Sequence, residues 1–430
     1  MPLWPGVAVA VLAGAVYLAV ASRGTFHFRP SLFPYHVWVA DAWLHGQLHI
    51  RDEVIAARSE PFYAQYRTTL EQRLSAEGRR LSESDWLALR GRLKTPAMHD
   101  LAFVDGKFYG VWGPAVPALL LPYVAWRGLA ASDMLVSCLV AIGTVWLTYL
   151  MLRQAQQIGV VPLDTAACTA LTLLLGLGTI HFYMCVLGQV WYLSQIVAEF
   201  FVTLAVWCLL HAGRGLAWLV AAGAGFGAAL LSRGSILTLA PFFCVGIFAL
   251  WLRFDGTRLR GVAWAAAFAL PLLLAGVIAM SFNYARFGSV LDSGNNIMTG
   301  GDPMFQSDYF RYGIFNLHYL PRNLYYYFLN PTLLRDQRTG ALTFDPWGNS
   351  MFLVTPALLY VFRAGGRDWF TLGLWLGAGS CMTMLLLFQF SGWFNFGTRY
   401  LLDLMPLAIL LIAIGMRGRL TRASIALIAL

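Results

Sequence analysis

The sequence predicts an all-α polytopic membrane protein with about 10–12 transmembrane helices and a long first outer loop carrying interfacial helices. Three observations carry this. Hydrophobic residues make up 59% of the 430, and charged residues only 12%, against roughly 25% in soluble domains. Apolar runs of about 17–25 residues, the length that crosses a bilayer core as helix, recur along the chain. The runs are continuous rather than alternating, which excludes a β-barrel.

The first run, 5–21, ends in a cleavage-like Ala19-Val20-Ala21 but lacks a basic n-region, so it reads as an uncleaved span. A polar stretch, 22–111, follows. Apolar segments then lie near 114–126, 134–152, 165–183, 192–211, 216–231, 235–252 and 261–282. A second mixed stretch covers 283–349, and further segments lie near 350–362, 369–390 and 399–416. A last one starts near 421 and stops at Leu430, too soon to span, so the C-terminal span is expected to be incomplete.

Positive charge in short loops marks the cytoplasmic side. Arg253, Arg258 and Arg260 mark one such loop, Arg363 and Arg367 a second, and Arg417, Arg419 and Arg422 a third; Arg153 and Arg214 are weaker cases. Both long loops then fall outside, and an even number of spans must separate them. Seven segments lie between. The one expected not to span is 113–126, which is short and holds Pro114, Pro117 and Pro122. Such a helix is tolerated where protein or a cavity surrounds it. The net charge of +9, almost all arginine, reflects cytoplasmic loops and implies no nucleic acid. The cysteines show no metal or disulfide spacing.

The outer face collects the chemistry. The first loop holds both lysines, Lys94 and Lys107, and five of eight histidines: His27, His36, His45, His49 and His99. "VADAWLHGQLHI" predicts an interfacial helix ending near Gly46. Asp41, His45 and His49 would share one face if it ran on. That face has three readings: a solvated surface, a catalytic carboxylate at Asp41, or a divalent metal at Asp41/His45, which Gly46 disfavours. Asp105-Gly106 predicts a hairpin with "KFYGVW" as its second arm. Lys107 and Tyr109 are then placed to meet a phosphate, or simply belong to a turn.

Charged residues inside spans are candidates by default, because charge in lipid is costly. Glu199 lies two turns into its helix. Arg399 and Asp403 stand at i, i+4, the spacing of an internal salt bridge. Arg233 reads as a phosphate contact or a snorkelling side chain. The second long loop, with "NYARFGSVLDSGNN", "PRNLYYYFLNP" and "TFDPWGNSMF", pairs aromatic faces with amides. That mixture suits sugar rings and interfacial anchoring alike. No P-loop, GxSxG or HExxH motif is present.

One span, an acid-bearing first loop, "DGKFYGVWGPAVPALLLPY", "NYARFGSVLDSG" and "WFNFGTRYLLDLMP" together resemble the bacterial GT-C membrane glycosyltransferases, of the aminoarabinose-transferase and protein O-mannosyltransferase kind. The resemblance implies a GT-C-like bundle with a seven-span module over 1–282 that includes outer loop 22–130, then the second outer loop 283–349 and C-terminal spans 350–430. It implies inverting transfer of a sugar from a polyprenyl-phosphate donor to a glycan, lipid or protein acceptor outside the bacterial inner membrane, in cell-envelope synthesis and without a metal cofactor. An acid early in the first loop would be the general base. Here the matching slot falls near Ser31 or Leu32, so Asp41 becomes the first candidate and Asp100 the second. Lys107, Arg399, Arg233 and Tyr109 would meet donor phosphate, and His36, His45, Asp105, Glu199, Tyr400 and Asp403 would line the cavity or meet the acceptor. The rival readings are a transporter or lipid flippase, and an inactive GT-C-like scaffold.

Overall fold

The computed structural model describes residues 2–80, 82, 100–254, 256–295, 303–331, 333–335, 339–343, 345–366, 368–392 and 395–429. His99, Lys94 and Arg367 lie outside them. Helix α1 (Trp4–Ala21) leads into α2 (Tyr35–Leu44) and α3 (Asp52–Ala76). After the hairpin β1 (Leu101–Val104) and β2 (Lys107–Gly110) come α4 (Ala115–Arg127), α5 (Asp133–Gln157), α6 (Thr165–Leu177), α7 (Ile180–Leu187), α8 (Val190–Leu209) and α9 (Leu216–Ser232). They are followed by α10 (Ala240–Phe254), α11 (Arg258–Phe287), α12 (Pro303–Tyr312), α13 (Trp369–Leu387) and α14 (Met405–Gly415).

By length and composition, six helices among the described residues can cross a membrane, or seven if the bent pair α6 and α7, at 45° to each other, counts as one span. The other expected segments are present as shorter or broken pieces. At 13 residues α4 is about 20 Å long, short of a hydrocarbon core of about 30 Å. It therefore fits the expected non-spanning segment. The 350–362 segment divides at Thr355, whose extended backbone (φ −140°, ψ 78°) is what a following proline, Pro356, enforces. The 399–416 segment is a 3₁₀ turn, Arg399–Leu404, running into α14. Met405–Ala413 are all buried, so α14 is wrapped by protein rather than lipid.

Helix α2 departs from the interfacial expectation. Tyr35–Ala42 are all buried. Tyr35, Trp38 and Val39 pack against Ile50, Leu101 and Phe108, while Val37 and Ala40 pack against Val116, Leu120 and Leu193. The helix is apolar on two faces because it is sandwiched between the hairpin and α4/α8. It ends where Gly46 takes a left-handed φ of 74°. His49 therefore lies beyond it, and the single Asp41/His45/His49 face does not form. The hairpin matches expectation: Asp105 (φ 49°) and Gly106 (φ 77°) make the mirror-image turn that suits a two-residue connection.

Both long loops meet at one end of the bundle. Ser31 donates its N–H (2.6 Å) and its hydroxyl (2.5 Å) to the carboxylate of Asp133 at the start of α5. The Val190 N–H at the start of α8 donates to Phe33 O at 3.2 Å. From the second loop's edge, buried Arg286 donates to the Gly110 carbonyl. The opposite end carries the arginine turns: Tyr149, near the far end of α5, donates to Pro2 O at 2.6 Å.

Helices α9 and α11 cross where a Cβ on Gly223 would lie 2.1 Å from the Phe268 carbonyl oxygen. A Cβ on Gly276, also in α11, would meet nothing within 4 Å. Gly223→Ala therefore forces the two backbones apart and should cost about 1–3 kcal/mol, read as a lowered thermal midpoint in detergent. Gly276→Ala should leave the midpoint unchanged or raise it.

Candidate functional site

The site grows from the first turns of α8 and the 3₁₀ turn Arg399–Leu404. Arg399 is 5% exposed. Its guanidinium lies 5.6 Å from the Tyr192 ring centroid and 5.1 Å from that of Tyr400, and Nη2 donates to the Tyr400 hydroxyl at 3.2 Å. Gln195, one turn along α8, anchors the turn by donating to the Arg399 carbonyl at 3.0 Å. No carboxylate forms an ion pair with Arg399 among the described residues. Its Nε is enclosed without an acceptor. A buried cation is expensive unless charge or hydrogen bonds compensate it. Two aromatic faces do part of that.

Asp100 is the carboxylate whose charge acts on this cation. The Trp191 indole donates to its Oδ2 at 2.7 Å, and its charge acts on Arg399 and on Tyr35. Burial first, then Asp100, holds the Tyr35 phenol above its usual range. Asp100 adopts a left-handed φ of 62°, rare outside glycine and frequent where function imposes strain. Tyr183 (6.0 Å from Tyr192) and Phe396 (6.2 Å from Tyr183) extend the aromatic wall. Around it, Gln195 Oε1, Tyr327 Oη, Asn395 Oδ1 and Thr398 Oγ1 are enclosed with no hydrogen-bond partner among the described residues. Tyr327 sits in a π-helical turn, a form common at functional sites. The Arg399 Nε–H and the hydroxyls of Tyr327 and Thr398 are donors an anion could meet, and the amide oxygens of Gln195 and Asn395 are acceptors suited to hydroxyl groups.

Asp403 does not pair with Arg399. It pairs with Arg233, Nε to Oδ1 at 3.2 Å, and accepts from Ser235 at 2.7 Å. The i, i+4 expectation presumed an α-helix. This segment is 3₁₀, where three residues make a turn and i+4 rotates to another face. Arg233 also lies 5.4 Å from the Tyr400 ring, so that ring stands between two guanidiniums.

Asp41 sits elsewhere. It is 5% exposed, and Arg51 donates Nε–H to its Oδ2 at 2.7 Å. His45 turns Nδ1 back to the Asp41 backbone carbonyl at 2.8 Å. The carboxylate a cation would need is thus already engaged, and among the described residues no group of three or more His, Cys, Asp or Glu side chains is placed to hold a metal. Asp41 lies six residues beyond Tyr35 on α2, about 9 Å along the axis, so the two candidate acids face different ends of that helix. Lys107 is exposed at the start of β2. Partial burial and then the Lys107 charge push the His49 imidazole down. Tyr109 packs on Phe287 (5.6 Å) and His49 (5.9 Å), and burial raises its phenol. Asp105 serves the hairpin turn. No hydrogen bond, ion pair or ring contact joins Lys107 to Asp41 or Arg399 among the described residues.

Glu199 is fully buried and bonded to His181 Nδ1 at 2.5 Å, below Gln195. His181 was not visible as a partner in sequence. It lies just past the break between α6 and α7, 18 residues from Glu199. Trp191, Tyr192 and Gln195 were likewise missed, whereas Tyr327 lies within the aromatic stretch "PRNLYYYFLNP" without having been singled out.

His36 is buried against α8. Ser194 commits its hydroxyl proton to Val190 O (2.7 Å), so His36 Nε2–H donates to Ser194 Oγ (2.8 Å). Burial pushes this imidazole down to about 3. The unfolded chain, with an ordinary value near 6.5, then binds more protons, so stability is retained above about pH 6.5 and lost as pH falls toward 3, by about 1.4 kcal/mol per pH unit. His36→Gln should flatten that fall in thermal midpoints measured across the range. Arg233→Gln, which strands the fully buried Asp403, should cost about 3–5 kcal/mol, whereas Arg233→Met with Asp403→Leu should recover most of it.

No family model matches the sequence, and no curated protein sequence does. Two solved structures match over 99% of this chain. One is the oligosaccharyltransferase of Archaeoglobus fulgidus in its apo form, with TM-score 0.50, 13% identity and 54% of that chain covered. The other is oligosaccharyltransferase AglB from the same organism in complex with an inhibitory peptide and a dolichol-phosphate, with TM-score 0.49, 12% identity and 53% covered. This chain thus spans about half the length of either protein. At 13% identity what the apo structure shares with this chain is its fold, an all-α polytopic membrane fold of the GT-C type.

Proposed function

We propose that this protein is a membrane glycosyltransferase of the GT-C kind, moving a sugar from a polyprenyl-phosphate donor to an acceptor at the extracytoplasmic face. The single observation that carries the reading is Arg399, a buried guanidinium with no ion-pair partner among the described residues, set against the rings of Tyr192 and Tyr400 and within the influence of the Asp100 charge. An anion completes that arrangement, and the leaving group of lipid-phosphate sugar transfer is a phosphate.

In this reading Arg399 meets the charge that develops on the departing phosphate. Asp100 takes the proton of the acceptor hydroxyl as that oxygen attacks the anomeric carbon, and the sugar–phosphate bond breaks on the opposite face, inverting the centre. The Trp191 indole fixes the carboxylate's direction. The aromatic wall offers the sugar's apolar face a surface. Arginine rather than a metal ion balances the leaving group. In this reading Asp41, already engaged by Arg51, holds the turn between α2 and α3 instead of serving as the base. The acceptor would be a glycan, lipid or protein of the cell envelope, and the membrane a bacterial inner membrane. The oligosaccharyltransferase fold supports the class.

Asp100→Asn should lower transfer from a radiolabelled polyprenyl-phosphate sugar by about 100-fold or more with folding intact, and Asp41→Asn should retain most transfer. The reverse pattern would move the base to Asp41. Lipid flux without any transfer would favour the flippase reading, and neither activity the scaffold reading.

A further inference from the structure

The opposite end of the bundle carries a second anion-seeking place, unrelated to the proposed transfer. A cavity of about 280 Å³ is lined by Arg153, Gln154, Gln157, Trp207, His211 and Arg214. Arg153 and Gln157 come from the last turns of α5, Trp207 from the end of α8, and Arg214 from the turn before α9. Arg153 lies 20 residues along α5 from Asp133, so this cavity sits about 30 Å from the loop end of the bundle.

Its lining holds two guanidiniums and no acid. Neither arginine forms an ion pair among the described residues. Arg153 Nε is enclosed without an acceptor. A helix dipole explains why arginine is favoured at the end of α5; it does not explain an Nε–H sealed from water with nothing to bond. The other lining groups are already organised. Gln154 donates to Leu210 O at 3.1 Å, and His211 donates through Nδ1 to Trp207 O at 2.8 Å. The His211 ring stacks on Trp218 at 4.4 Å, and Trp207 packs edge-on to Trp218 at 5.4 Å, which makes a stiff aromatic wall. Arg253 lies nearby, its Nη2 3.2 Å from where a Cβ on Gly159 would stand. Basic pockets between helices at such an arginine-rich end suit phosphate headgroups, with indoles at the membrane–water level.

We infer that this cavity binds a phosphate-bearing anion through Arg153 and Arg214, held against the Trp207/His211 wall. The shared chemistry is a phosphate monoanion or dianion, from either a phospholipid headgroup or free phosphate. Guanidinium forks match its oxygens bidentately.

The test titrates dihexanoyl-phosphatidylglycerol, dihexanoyl-phosphatidylcholine and inorganic phosphate onto the full chain in detergent, reading the thermal midpoint by tryptophan fluorescence. Phosphatidylglycerol should raise the midpoint where phosphatidylcholine does not. Arg153→Gln with Arg214→Gln should weaken that response by about tenfold or more, while Arg258→Gln with Arg260→Gln, on the same face but outside the cavity, should retain it. Should the double variant not fold, Arg214→Gln alone, at an exposed turn, carries the same expectation. Equal protection by inorganic phosphate assigns the site to the free anion. No protection by either anion, or protection that survives loss of both arginines, overturns the proposal.

Discussion

A guanidinium sealed into the bundle with no ion-pair partner among the described residues sets the terms for everything around it. Arg399 is held by what water would otherwise supply: the faces of Tyr192 and Tyr400, a hydroxyl, and the more distant charge of Asp100. Each neighbour depends on a different part of the chain. Tyr192 and Gln195 need α8 in register, Tyr400 needs the 3₁₀ turn, and Asp100 needs the hairpin seated on α2. Arg233, paired with Asp403, also meets the Tyr400 ring. An arginine in this state favours any anion that can reach it, and the unanswered hydroxyls of Tyr327 and Thr398 can donate to that anion, while the amide oxygens of Gln195 and Asn395 await donors such as the hydroxyls of a sugar.

The same reasoning separates the two acids of the first loop. Asp41 has a full charge partner in Arg51, and both are held by a local turn. Asp100 has an indole donor in Trp191, and its charge acts on Arg399. Asp41 is thus tied to the turn that follows its helix, and Asp100 to the aromatic wall beside Arg399. The buried Glu199–His181 pair lies deeper still and ties the break between α6 and α7 to α8, supporting the floor below Gln195.

Much of the architecture was legible because it rests on local rules. Asp105-Gly106 announced its turn, Gly46 its helix stop, and three prolines the short helix α4. The continuous apolar runs announced the spans. What stayed hidden was non-local or depended on helix type. Arg51 reaches Asp41 only because the chain reverses at Gly46. Asp403 finds Arg233, 170 residues away, because the turn that carries it is 3₁₀. The full burial of α2 needed the hairpin and α4 to converge on it, and the sequence of α2, with its acid and histidine, suggested water instead.

Helix α11 has a bearing on how the site meets its surroundings. At 30 residues it is about 45 Å long, half as long again as a hydrocarbon core of about 30 Å, and most of its flank is left for lipid. Such a helix must lean or stand proud of the bilayer. Arg286, at its upper end, grips the Gly110 carbonyl of the hairpin that follows Asp100. The hairpin that follows Asp100 is thereby tied to the one helix here whose tilt answers most directly to bilayer thickness.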